Sequence, residues 1–415
     1  MVKKARFPIA TILVLTLIYA FNFIDRQIVA VIGTELQNAL SLNNTQLGFL
    51  YGTVFSFFYA FAGIPMGHLA DRFSRKWMII GGLLIWSTAT VLSGFAGSFM
   101  SLIIFRIIVA VAESACSPAA YSLISDMVPP EKHATAISVY ASGIFIGVGS
   151  SFLFGGTISN TMGWREALIG VGFPGILVGI VAIFIIKNVP HKHAQESAGN
   201  FSDFFLALKN MFSKPVIALH LIGFAFLSLS GYSLLAFLSQ ILSVQHSSPH
   251  LIPHYGWFMF GTGITITLSG LMADKLAQIH PRYRFVMGII AALGGLPLYL
   301  LGIFADTGLS ALILIGSGAL IASSYNGVAA ALIQILVPKT NRALAGGVYL
   351  FVISVAGFGT GPLLTGYLMD TVFSGPQAAS QALSVVLTVS GILASGFLFA
   401  AMKRYDETLS ISIEK

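Results

Sequence analysis

Polar residues in this chain are few and bunched, and the stretches between them are apolar over one recurring length. Twelve runs reach 18 residues or more: 9–32, 46–68, 77–97, 99–125, 133–158 and 165–187, then 215–245, 252–273, 284–304, 309–336, 343–369 and 377–402. A run of that length crosses the roughly 30 Å hydrocarbon core of a bilayer as a helix rising about 1.5 Å per residue, so each predicts a membrane-spanning helix. The longest polar stretch, NVPHKHAQESAGNFSDFFLALKNMFSK, separates the sixth run from the seventh. Within it, residues 201–212 space apolar side chains helically beside Asp203 and Lys209, which predicts an amphipathic helix lying on the membrane surface. The predicted organisation is all-α: a six-helix bundle over 1–188, a linker over 189–213, a second six-helix bundle over 214–403 and a tail over 404–415.

Composition agrees with that reading. The chain is 56% hydrophobic and 9% charged, against about 25% charged in a soluble domain, and its mean hydropathy is +0.87. Lys3, Lys4 and Arg6 before an apolar run resemble a signal peptide. The run is too long for one and no A-x-A site follows, so it reads as a retained first span. The net charge of +7 raises nucleic acid as a partner, but the positions of the charges account for it otherwise. Of 22 Lys and Arg, 19 fall on the side of the membrane that holds the N-terminus, Arg165 alone falls on the other, and Arg26 and Arg106 lie within spans. By the positive-inside rule both termini are expected in the cytoplasm, with the chain in the inner membrane.

Enzyme chemistry finds no footing. A single cysteine, Cys116, offers neither a disulfide within the chain nor a Cys-based metal site. There is no metal-spaced His pair, no phosphate loop and no nucleophile beside a base, so no cofactor or metal is expected.

Four charges sit inside the predicted spans away from their ends: Asp25, Arg26, Arg106 and Glu113, all in the first half and summing to zero. Unpaired at a helix centre, they would together cost roughly 10 kcal/mol. Asp25 and Arg106 each lie seven residues from the outer ends of their helices, about 10 Å deep, so an Asp25–Arg106 contact is geometrically allowed. Glu113 follows Arg106 by two turns on the same face, near the midplane. An acid in a dry bundle with no basic residue one turn away suits reversible protonation. Softer candidates are Tyr51, Phe55, Phe58 and Tyr59 on the second span, Tyr140 on the fifth, Tyr232 and Gln240 on the seventh, and Tyr325 with Asn326 on the tenth, where a buried amide needs partners. His220 reads as a satisfied helix histidine, and Pro118 and Pro362 as bends in the fourth and eleventh helices.

The chain repeats. GHLADRFSRK (67–76) follows the second span as GLMADKLAQIHPR (270–282) follows the eighth. PPEKHATAISVY and PKTNRALAGGVY share Ala134/Ala343, Ala136/Ala345, Val139/Val348 and Tyr140/Tyr349 at an offset of 209. Parallel halves of six spans are the plan of the major facilitator superfamily, with cargo bound near the midplane between them. The 67–76 stretch resembles that superfamily's signature loop. The resemblance implies that Asp71 caps and pairs so as to lock the outward-facing state and that Arg72, Arg75 and Lys76 form a charge relay after Gly67. NFIDRQIVAVI, RIIVAVAESACSPAA and GWREALIGVGFPGILVGIVAIFI are similar to the spinster-like lipid transporters, bacterial members included. The first two motifs are shared with proton symporters of organic anions. The resemblance implies proton coupling at Glu113 and Asp25 and substrate contacts at Arg26 and Arg106. The function expected is a proton-coupled, alternating-access transporter of an amphipathic, lipid-like molecule. A sugar-acid symporter and a multidrug exporter are the alternatives. The partners expected are the small substrate, protons and membrane lipids, with no nucleic acid, and the chain is expected to act as a monomer.

Overall fold

The computed structural model describes residues 8–129, 132–189, 209, 211–337 and 341–405, with the side chains of residues 64, 68, 71, 134 and 343 outside the description. No β-strand occurs among the described residues. The helices of the first half are α1 (Ile9–Val31), α2 (Val54–Arg72), α3 (Arg75–Ser93), α4 (Phe99–Met127), α5 (Thr135–Met162) and α6 (Trp164–Ile185). Those of the second are α7 (Pro215–Gln245), α8 (Pro249–Ile279), α9 (Pro281–Ile303), α10 (Gly308–Ile335), α11 (Leu344–Thr371) and α12 (Ala378–Lys403). Among the described residues, eleven of these are both long and apolar enough to cross a membrane. The exception is α2, whose 19 residues are long enough but end in His68, Asp71 and Arg72. The predicted surface helix over 201–212 falls almost wholly outside the described residues.

Local chemistry explains several boundaries. Ser98 caps α4 through a capping box with Ser101, and Thr307 caps α10 through one with Ser310. Both pairs are separated by the offset of 209 already seen in the sequence, so the repeat extends to the way corresponding helices begin. Gly163, at φ 112°, supplies the left-handed turn between α5 and α6. Helix α4 is interrupted at Ala115, three residues before Pro118, which lacks the N–H a continuous helix needs at that point. Wider, i→i+5 turns appear as π turns at Ser151–Gly155 in α5 and Ile353–Gly359 in α11, again corresponding spans.

The chain divides into two compact units: the described parts of Met1–Leu42 and Val54–Ser197, and those of Asn43–Thr53 and Ala198–Lys415. In the first, α1 packs on α5 and α6, α3 on α4 and α6, and α2 on α4. Glycine sets how closely α1 and α5 approach: a Cβ on Gly147 would stand 2.3 Å from the carbonyl oxygen of Ala20. In the second unit, α7 packs on α11 and α12, α9 on α10 and α12, and α8 on α10. Its core gathers Phe224, Phe285, Tyr325, Tyr349 and Tyr405.

His220 lies in that core, fully buried between Phe224, Phe285 and Tyr349. Neither ring nitrogen has a hydrogen bond to a described residue, contrary to the satisfied histidine expected.

Candidate functional site

The four charges within the spans meet in the first unit, but not in the pairing that depth allowed. Arg26 on α1 forms the ion pair, its Nη2 3.2 Å from Glu113 Oε2 on α4. The Glu113 side chain is wholly buried and that of Arg26 is 11% exposed. The same nitrogen donates to Asn22 Oδ1, one turn back on α1, at 3.2 Å. Arg106 does not pair with the Asp25 carboxylate. Its Nη1 donates to the Asp25 main-chain oxygen at 2.9 Å and its Nη2 to that of Arg26 at 2.7 Å. Successive carbonyls on a helix diverge, and a planar fork with two donors can reach both. Arg106 therefore rivets α4 to the main chain of α1 at the two residues that carry the other charges.

Asp25 points elsewhere. It is fully buried, with the Thr90 hydroxyl and the Trp86 indole of α3 as polar neighbours. Neither carboxylate oxygen makes a normal hydrogen bond to a described donor. Glu113 Oε1 is likewise without one. The site thus holds two buried acids whose oxygens are under-satisfied, in a bundle where such groups normally find partners.

Aromatic rings complete the surroundings. The Arg26 guanidinium lies 4.7, 4.6 and 4.7 Å from the ring centres of Phe23, Phe55 and Tyr59. Phe55 also receives Arg106, at 4.6 Å, so one ring of α2 touches both cations. Weakly hydrated guanidinium on a ring face is favourable, and more so out of water. From Phe23 the rings continue along α1 to Tyr19 at 5.2 Å, then to Tyr140 of α5, stacked at 4.3 Å, and to Tyr121 at 5.4 Å. The Tyr140 hydroxyl is 3.9 Å from Cys116 Sγ.

Of the residues expected from sequence, the structure brings together Asp25, Arg26, Arg106, Glu113, Phe55 and Tyr59, with Tyr140 further along the row of rings. Sequence reading missed Asn22, Phe23, Tyr19, Trp86 and Thr90. Tyr19, Asn22 and Phe23 were legible in principle, being one turn apart in the helix that carries Asp25 and Arg26. Tyr51 does not join this group: it belongs to the second unit, fully buried, with its ring edge on Phe358 at 4.9 Å. Tyr232 meets the same Phe358 at 4.5 Å. Tyr325 is stacked on Phe224 at 5.6 Å as part of the second core. Asn326 is exposed rather than buried, its Nδ2 donating to the Ser323 carbonyl at 3.0 Å, so no buried amide stands there.

The 67–76 stretch spans the end of α2 and the start of α3. The Asp71 side chain lies outside the description, Arg72 is exposed, and Gly67 has nothing within 4 Å of a Cβ position. Arg75 is buried and tied to the end of α4. It pairs with Asp126, donates to Ser122 Oγ at 2.9 Å, and reaches the Val189 carbonyl at 2.9 Å. Lys76 Nζ donates to the Ile183 carbonyl at 2.6 Å. In the repeat, Asp274 pairs with Arg284 at 3.5 Å on an exposed surface.

Among known proteins, the sequence matches the Major Facilitator Superfamily over residues 15–358. The chain belongs to the Major Facilitator Superfamily. It is 27% identical over 95% of its length to an MFS-type efflux pump of Mycolicibacterium smegmatis, covering 93% of that protein. It is 26% identical, also over 95%, to protein spinster homolog 1 of Xenopus tropicalis, covering 80% of it. A solved bacterial homologue of the human lysosomal transporter Spinster, inward-facing and unoccupied, superposes with a TM-score of 0.84 at 26% identity, covering 97% of this chain and 98% of that one. This facilitator is therefore a spinster-like, multi-pass membrane transporter and not an enzyme.

Proposed function

We propose that this facilitator is a proton-coupled secondary transporter that moves an amphipathic, lipid-like molecule of lysophospholipid or sphingoid type across the inner membrane by alternating access, with both termini cytoplasmic. The observation that carries the coupling is the Arg26–Glu113 pair: a wholly buried acid, one oxygen on a guanidinium and the other without a hydrogen bond to a described residue. Protonating Glu113 removes the charge that holds Arg26, leaving the guanidinium to Asn22, the rings and whatever enters the site. Deprotonation restores the pair. Asp25 is the second proton-carrying candidate, since its carboxylate is buried and engages neither guanidinium by a hydrogen bond. Arg106 serves as a fixed anchor, because both its terminal nitrogens are committed to main-chain oxygens.

An amphipathic cargo is supported by the surroundings of the pair. Phe23, Phe55 and Tyr59 offer apolar faces beside a single releasable cation, an arrangement suited to a charged head with an apolar tail. The resemblance to spinster-like lipid transporters points the same way. The second reading, a small organic anion, draws on the same release of Arg26, which would expose a guanidinium for a carboxylate.

A thermal-shift panel of lysophospholipids, sphingoid bases, sugar acids and drugs tests the cargo, because a ligand that binds the folded state raises its apparent stability. Stabilisation by the amphiphiles is expected. Stabilisation by sugar acids alone would favour the anion reading. Uptake of the stabilising compound into proteoliposomes, with and without an imposed proton gradient, tests the coupling. Accumulation indifferent to the gradient would overturn it.

A further inference from the structure

On the face one span away from the N-terminus, the start of the helical run leading into α2 is fastened to the end of α11. Asp370 lies in the last turn of α11, one residue beyond the apolar run read from sequence. Its Oδ1 accepts from Asn44 N at 3.1 Å and Asn44 Nδ2 at 2.7 Å. Its Oδ2 accepts from Thr45 N at 2.7 Å and Thr45 Oγ1 at 2.6 Å. A carboxylate is disfavoured at the C-terminus of its own helix and favoured where another helix begins with free N–H groups, so this placement serves the partner segment. Gln240 of α7 adds a bond from Nε2 to Asn44 Oδ1 at 2.8 Å.

Below the carboxylate the two backbones touch. A Cβ on Gly366 would stand 2.2 Å from the Asn44 oxygen, and one on Gly48 2.2 Å from the Pro362 oxygen. One turn further on, Thr53 Oγ1 donates to the Gly359 carbonyl at 2.6 Å. Residues Phe49–Thr53 form a π turn, and at Val54 the chain passes from the second compact unit into the first. π turns inside helices interrupt the regular i→i+4 ladder and are frequent at functional sites.

Alternating access rocks one half of a facilitator against the other, so the two must part on each face in turn. The segment Asn43–Thr53 belongs with the second unit yet continues into the first, and must be released when this face opens. We propose that Asp370 is a latch: its four hydrogen bonds hold Asn43–Thr53 on α11 while this face is closed, and they break, with the Phe49–Thr53 π turn as the compliant joint, when it opens. The latch requires only that the protein be an alternating-access transporter, so it stands apart from the proton and lipid reading above.

The test is the accessibility of a buried position behind the latch. Leu47 is fully buried. Leu47→Cys in a Cys116→Ser background, reconstituted in proteoliposomes, would be labelled with a membrane-impermeant maleimide. Asp370→Ala should speed labelling about tenfold, the scale set by losing charge-assisted hydrogen bonds, and Thr45→Val by a few-fold. The double variant should label no faster than Asp370→Ala alone, because both changes delete one contact. A Leu83→Cys reporter, fully buried in α3 of the other unit, should be unaffected. Unchanged rates at Leu47→Cys in both variants would overturn the latch, as would additive effects or equal acceleration at Leu83→Cys. If Asp370→Ala does not fold, Thr45→Val decides alone.

Discussion

Replacing Glu113 by glutamine keeps the side chain's shape and one acceptor oxygen but removes its charge and its capacity to carry a proton. The energetic consequence follows from what Arg26 keeps. Deleting one partner of a buried ion pair costs about 3–5 kcal/mol when nothing replaces it. Here the pair is 3.2 Å long and Arg26 is slightly exposed. It retains Asn22 and the faces of Phe23, Phe55 and Tyr59, and the new amide oxygen can still accept. The loss should therefore fall near the lower limit or below it, about 2 kcal/mol. For a chain of this size that is a fall of about 2 °C in Tm, so the variant should fold and reconstitute. Its effect on transport should be far larger. One pH unit can drive about tenfold accumulation per coupled proton, and a side chain that cannot titrate gives up that factor. In proteoliposomes, Glu113→Gln should bring substrate only to equal concentration on both sides under an imposed gradient, while exchange of internal for external substrate continues. Wild-type accumulation by this variant would make Glu113 a structural acid and move the coupling site to Asp25 or beyond the cluster. Loss of exchange together with accumulation, in folded protein, would make Glu113 a cargo-binding residue instead.

Three further outcomes can be measured by thermal stability. Asp25→Asn should not lower Tm, because Arg106 binds the main chain of Asp25 and not its carboxylate, whereas Arg106→Lys should cost about 1–2 kcal/mol by losing one carbonyl and the Phe55 ring; an equal fall in both would mean that the Asp25 and Arg106 side chains act as a pair. Arg75→Ala should cost about 2 kcal/mol, since it strands half-buried Asp126, Ser122 and the Val189 carbonyl, and a change within experimental error would show that the α3–α4 tie is replaced by solvent. His220→Leu should raise stability by about 1 kcal/mol by removing two buried nitrogens that have no hydrogen-bond partner among the described residues; a fall in Tm would show that the ring is bonded.

The spans, their number in each half and the repeat are set by the sequence alone, and the reason is the solvent. In lipid every backbone polar group must be satisfied within its own helix, so run length and the ends of runs report structure directly. The same economy singled out Asp25, Arg26, Arg106 and Glu113, because charge within an apolar run is costly wherever it points. What depth could not supply is direction around the helix axis. Asp25 and Arg26 differ by one residue and so by about 100°, and that turn decided which of them faces α4. Packing set it: Gly147 lets α5 press onto α1 at Ala20, and Arg106 finds two carbonyls rather than a carboxylate. Tertiary structure alone also gathered Phe55 and Tyr59 around Arg26 while Tyr51, one turn earlier, went to Phe358 in the other unit, because a π turn at Phe49–Thr53 divides the run between them. Likewise Asp370 looks from sequence like the polar end of a span. Only the arrival of Asn44 and Thr45, more than 300 positions away along the chain, gives its carboxylate four donors.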